Sequence, residues 1–111
     1  MNVVFVCTMN KMRSATAEVV ARAEWPEWEY RSCGTDKTAT VPMSDEMFQW
    51  ADMVVYMEKE HKNKAEKKCK SAKTVKSKIV MGVPDEFDYM DVEFIKVFKS
   101  RFENYVRAYF K

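Results

Sequence analysis

An apolar, β-branched run, Val3-Val4-Phe5-Val6, passes directly into Cys7-Thr8-Met9-Asn10-Lys11-Met12, and then into a segment from Arg13 rich in Ala, Glu, Val and Arg. The first part reads as a buried strand and the last as a helix. The polar residues between them must form a loop from a strand's end to a helix's start. Unpaired backbone N–H groups and the positive end of the helix dipole gather there, and such a place binds anions. Cys7 opens the loop and Arg13 closes it, with five residues between them. A field that holds an oxyanion also favours a thiolate. The arginine adds a planar fork of donors suited to two phosphoryl oxygens. One turn of chain therefore carries a nucleophile and an oxyanion clamp.

The remaining pattern repeats the strand–helix alternation. Strands are expected at Asn2–Val6, Glu29–Cys33, Met53–Met57 and Lys78–Met81, and helices at Arg13–Glu24, Ser44–Trp50, Lys59–Lys70 and Val92–Tyr109. This predicts an α/β fold: a single domain over 1–111, with a four-stranded parallel sheet covered by helices on both faces in a Rossmann-like arrangement. Ligands in such folds bind beyond the carboxyl ends of the strands, where Cys7 lies. Ser44 reads as the cap of the second helix. The third helix offers a sparse inward line of Met57, His61, Ala65 and Cys69. In the last helix Phe94, Phe98, Phe102, Tyr105 and Tyr109 form an aromatic stripe, read as core.

At 111 residues, with 47% hydrophobic and 32% charged residues, the chain suits one globular domain. No apolar run is long enough to span a membrane, and Met1-Asn2-Val3 runs straight into the first strand, so a cytoplasmic location without membrane association is expected. Three cysteines and one histidine make neither a disulfide framework nor a metal knuckle. Nine of the fourteen lysines fall between Lys59 and Lys78, while Asp85, Glu86, Asp88, Asp91 and Glu93 follow. The lysines read as a solvated face before a polyanion-binding patch, so nucleic acid is not an expected partner.

Phe5-Val6-Cys7 through Arg13-Ser14, followed by Thr16-Ala17-Glu18, resembles the low-molecular-weight protein tyrosine phosphatases, as a compact, divergent member. Ser32-Cys33-Gly34-Thr35, Ala51-Asp52 with the third strand and His61, and Val83-Pro84-Asp85 extend the similarity in the family's order. The resemblance implies that Cys7 attacks phosphorus to give a phosphocysteine. Arg13 and the backbone amides of Thr8, Met9, Asn10, Lys11, Met12 and Arg13 would hold the phosphoryl oxygens. Ser14 would donate to the Cys7 sulfur, Asn10 would adopt an unusual backbone conformation, and His61 would brace that asparagine. Asp85 would act as general acid and then base, ahead of Asp88 and Asp91. The family's usual loop glycine is Met9 here, which is expected to crowd the turn. Its second loop cysteine is Met12, and Glu86-Phe87 stands where the family has proline and an aromatic residue.

The expected activity is hydrolysis of phosphotyrosine in a protein, or of a small aryl phosphate, by a monomer without cofactor or metal. Arsenate reduction on the same fold would need resolving cysteines, for which only Cys33 and Cys69 are available. A non-catalytic phosphate- or nucleic-acid-binding module would have no use for the Cys7, Arg13 and Asp85 set. Phe87 and Tyr89 are open between two readings, walls for a substrate ring or anchors of their loop.

Overall fold

The computed structural model describes residues 1–109, and the labels used below follow chain order. β1 (Asn2–Cys7), α1 (Arg13–Glu24), β2 (Glu29–Gly34), α2 (Asp45–Trp50), β3 (Met53–Tyr56), α3 (Lys59–Lys68), α4 (Lys70–Lys73), β4 (Ser77–Val80) and α5 (Val92–Tyr109) build an α/β fold. The sheet is wholly parallel, in the order β2-β1-β3-β4. β1 is central and buried on both faces, as its unbroken apolar run requires.

Alternation along β1 divides the core in two. Val3, Phe5 and Cys7 face α1 and α5, whereas Val4 and Val6 face the layer of α2, α3 and α4. On the first face Phe94, Phe98 and Phe102 stack along α5, with centroids 6.0 and 5.3 Å apart. Phe5 meets the latter two edge-on, at 5.4 Å from each ring. Each such burial contributes about 2–3 kcal/mol, so this stack is a principal fastening of the C-terminal helix.

The expected elements recur with shifts of one residue at most strand ends, and two differences have physical causes. The helix expected over Lys59–Lys70 stops at Lys68, because Cys69 is extended (φ −120°, ψ 112°) and turns its side chain into the core before the short α4 begins. On α5 the buried line is Phe94, Phe98, Phe102 and Val106, not the expected line ending in Tyr105 and Tyr109. Those two tyrosines are exposed at the rim, where a phenol can remain hydrated, Tyr109 lying edge-on to Trp28. Among the described residues no helix is long and apolar enough to cross a membrane.

Candidate active site

The loop after β1 is shaped by what its carbonyls do. Those of Cys7, Thr8 and Met9 accept from the N–H groups of Thr35 (2.9 Å), Asp36 (3.1 Å) and Thr40 (3.1 Å) in the segment following β2. With its carbonyls drawn outward, the loop can turn amides inward. The start of α1 is likewise open: its N-cap, Met12, makes no side-chain cap, and no acidic residue occupies the first turn. Its terminal N–H groups and dipole are left for an anion.

Asn10 is the left-handed residue of the loop (φ 57°), a conformation asparagine tolerates. Met9 is not in that region, so the crowding expected from replacing the family's glycine does not arise from backbone strain. The Asn10 N–H donates to Cys7 Sγ (3.2 Å), and its side-chain amide donates to Ser14 Oγ and Ser32 Oγ, each at 2.9 Å. Ser14 Oγ lies 2.9 Å from Cys7 Sγ. Ser14 Oγ also lies 3.4 Å from the Cys33 carbonyl, so its proton has two acceptors in reach, that oxygen and the nearer sulfur. Ser32 donates in turn to the Glu18 carboxylate. A polar chain from Glu18 through Ser32, Asn10 and Ser14 thus ends at the thiol.

His61 is placed otherwise than expected. Its Nδ1 accepts the Glu58 N–H (3.0 Å), so its Nε2 carries the proton and donates to Thr8 Oγ1 (3.0 Å). The histidine braces Thr8, while Asn10 is held by the two serines. Burial, reinforced by the Arg13 cation, holds its pKa below the ordinary histidine value, which suits a neutral ring.

Arg13 is 3% exposed and ties three segments together. Its Nη1 donates to Glu58 Oε1 (2.5 Å) and to the carbonyl of Val83 (2.7 Å), while its Nε lies 3.8 Å from Asp85 Oδ1. Asp85 itself is exposed, on the stretch between β4 and α5. That stretch is pinned to α1 where the Met90 N–H donates to Thr16 Oγ1 (2.8 Å). Cys7, Thr8, Met9, Lys11, Met12, Arg13 and Asp85 line one cavity of about 200 Å³. Asn10 and Ser14 lie buried behind it.

Phe87 packs edge-on against Phe94 at 5.7 Å, which favours loop anchoring for that residue; Tyr89 is exposed, and neither lines the cavity. Glu58, Ser32 and Thr16 are functional neighbours that the sequence reading did not single out. Glu58 had a local signal: with His61 it forms a Glu-x-x-His pair at a helix start, directly after a strand. Among the described residues Glu58, Glu60 and His61 bring potential metal-ligand atoms within 4.8 Å of one another. Glu58 is taken by Arg13, and both His61 nitrogens already have partners.

The fold is that of the low-molecular-weight protein tyrosine phosphatases. No protein-family model matches the sequence, and no curated protein matches it. Among solved structures, the low molecular weight phosphotyrosine phosphatase VcLMWPTP-2 of Vibrio cholerae O395 superposes with a TM-score of 0.81 at 17% identity, covering 100% of this chain and 97% of that one. The tyrosine phosphatase Wzb of Escherichia coli K30, in complex with phosphate, gives 0.78 at 16% identity, covering 96% of each chain. The arginine phosphatase YwlE, in a mutant with a phosphorylated active-site serine, gives 0.70 at 18% identity, covering 94% of this chain and 95% of that one.

Proposed function

We propose that this chain is a cysteine-dependent phosphomonoester hydrolase, acting on phosphotyrosine in proteins or on small aryl phosphates. The observation that carries the reading is the single cavity shared by Cys7, Arg13 and Asp85, with Ser14 Oγ 2.9 Å from the sulfur. Cys7 as thiolate attacks phosphorus while the bond to the aryl oxygen breaks, and Asp85 gives that oxygen its proton. Arg13 and the loop amides hold the equatorial oxygens as charge redistributes over them. Water then attacks the phosphocysteine, Asp85 takes its proton, and the P–S bond breaks. The thiolate departs into the hydrogen bond from Ser14.

A reductase would need a thiol able to reach Cys7. Cys33 and Cys69 are both buried in the layer on the opposite face of the sheet from Cys7, and Cys33 pairs in register with Val6. Burial pushes the Cys33 thiol up to about 12, and Cys69 also upward, so neither is a ready nucleophile. These observations favour hydrolysis over arsenate reduction.

The test is hydrolysis of para-nitrophenyl phosphate by the wild type, Cys7→Ser and Asp85→Asn. Turnover is expected to vanish in the first variant and to fall by about 10²-fold or more in the second. A wild type no faster than Cys7→Ser would leave only a phosphate-binding module.

A further inference from the structure

We propose that Lys11 sets substrate preference, drawing the site toward phosphotyrosine flanked by acidic residues and away from cationic phosphoryl donors; the inference rests on the phosphatase reading above. Lys11 is exposed and lines the cavity. Among the described residues it has no ion-pair partner, whereas the Arg13 charge is met by Glu58 and approached by Asp85. Lys11 is therefore the cation of the cavity wall left for an incoming group.

The rest of that wall gives little chemical discrimination. Met9 and Met12 present flexible thioethers that adapt to many shapes. Phe87, which could have stacked on a substrate ring, is committed to Phe94. Charge at Lys11 is thus the main selective feature of the mouth. Glu86, Asp88 and Asp91 follow Asp85 and do not line the cavity. An acidic flank of the substrate would avoid that acidic segment and favour Lys11.

The same charge bears on the leaving group. A phenolate gains from a nearby ammonium as negative charge develops on its oxygen. The guanidinium released from a phosphoarginine is a cation and loses by the same proximity.

Three phosphotyrosine peptides, identical except for acidic, neutral or basic flanking residues, provide the test, with a phosphoarginine peptide beside them. The readout is the ratio of kcat/KM for the acidic over the basic peptide in wild type, Lys11→Met and Lys11→Glu, so that any general loss of activity cancels. At low ionic strength an acidic preference of about 5-fold is expected for the wild type, the scale of one partly exposed ion pair. It should fall toward unity in Lys11→Met, invert in Lys11→Glu, and shrink as salt is added. Equal ratios in all three proteins, or a wild type that prefers the basic or phosphoarginine peptide, would overturn the inference.

Binding of the same peptides to Cys7→Ser, followed by fluorescence anisotropy, gives the ratio without turnover. A wild type that cleaves para-nitrophenyl phosphate but shows no flank preference sinks this inference alone. A wild type that cleaves nothing sinks the phosphatase reading, and the anisotropy ratio still decides whether Lys11 selects acidic flanks.

Discussion

Replacing Gly34 by alanine asks whether the anion loop is held from behind by the end of β2. The glycine is not in the left-handed region, so what it supplies is space. An added Cβ would collide with the Thr8 carbonyl oxygen and lie 2.5 Å from Ala39 Cβ, with the Asn10 nitrogen at 3.1 Å. Carbon atoms rest about 3.5–4.0 Å apart at best, so something must retreat by about an ångström. Neither obstacle is the end of a flexible side chain. The strand cannot simply back away, because Gly34 donates to Val41 and accepts from Met43, each at 2.9 Å.

Overpacking of this kind costs about 1–3 kcal/mol, and a disrupted backbone hydrogen bond adds about 1 kcal/mol. A loss of about 3 kcal/mol leaves a protein of ordinary stability folded while lowering Tm by roughly 12 °C. The catalytic consequence is separate. Thr8 follows Cys7 in the loop, and a shift of about 1 Å in such a positioning element costs about 10²-fold in rate. Urea unfolding followed by tryptophan fluorescence, and para-nitrophenyl phosphate turnover well below the melting transition, measure the two effects independently.

Adding Ala39→Gly to the Gly34→Ala protein removes one obstacle and leaves the Thr8 carbonyl. Stability should then recover in part while turnover stays low. A single variant with an unchanged urea midpoint and unchanged turnover would refute the bracing role of β2. Equal recovery of both properties in the double variant would place the strain at Ala39 instead of the loop.

Glu58→Gln removes the carboxylate that holds the buried Arg13 guanidinium at 2.5 Å. It should cost about 2 kcal/mol in urea unfolding, as for a hydrogen bond to a charged group, and lower kcat/KM alongside; an unaltered kcat/KM would mean that Val83 and Asp85 suffice to orient Arg13. His61 gives a pH signature. Its native pKa lies below its unfolded value of about 6.5, so the unfolded chain binds the proton first. Stability from this group is present above about pH 6.5 and declines as pH falls below it, by at most about 1.4 kcal/mol per pH unit. Denaturant midpoints at successive pH values should show that decline in wild type and lack it in His61→Gln; identical slopes would assign the decline to other groups.

What was legible in the sequence and what was not divides along chain separation. The parallel sheet announced itself because a strand buried on both faces must be apolar without alternation, as Val3 to Val6 are. Cys7, Asn10, Arg13 and Ser14 were legible because their geometry is local: a loop this short between a strand and a helix leaves few conformations, and each residue type serves one of them. Ser32 and Glu58 are used across 22 and 45 residues; the Glu58–His61 pair marks a helix start, but nothing local to either residue names a partner so distant. His61 lies between these cases. Its position on the inward line of α3 was readable, but whether it met Asn10 or Thr8 depended on how far the loop turned, and that is fixed by Thr35, Asp36 and Thr40, whose N–H groups hold the loop carbonyls from the segment after β2. Gly34 shows what a sparse composition can still reveal. In a chain with two glycines, one placed at the end of a strand beside the anion loop marks a close approach of backbones. The loop's chemistry is thus written locally, while its rigidity is supplied by residues the chain brings in from elsewhere.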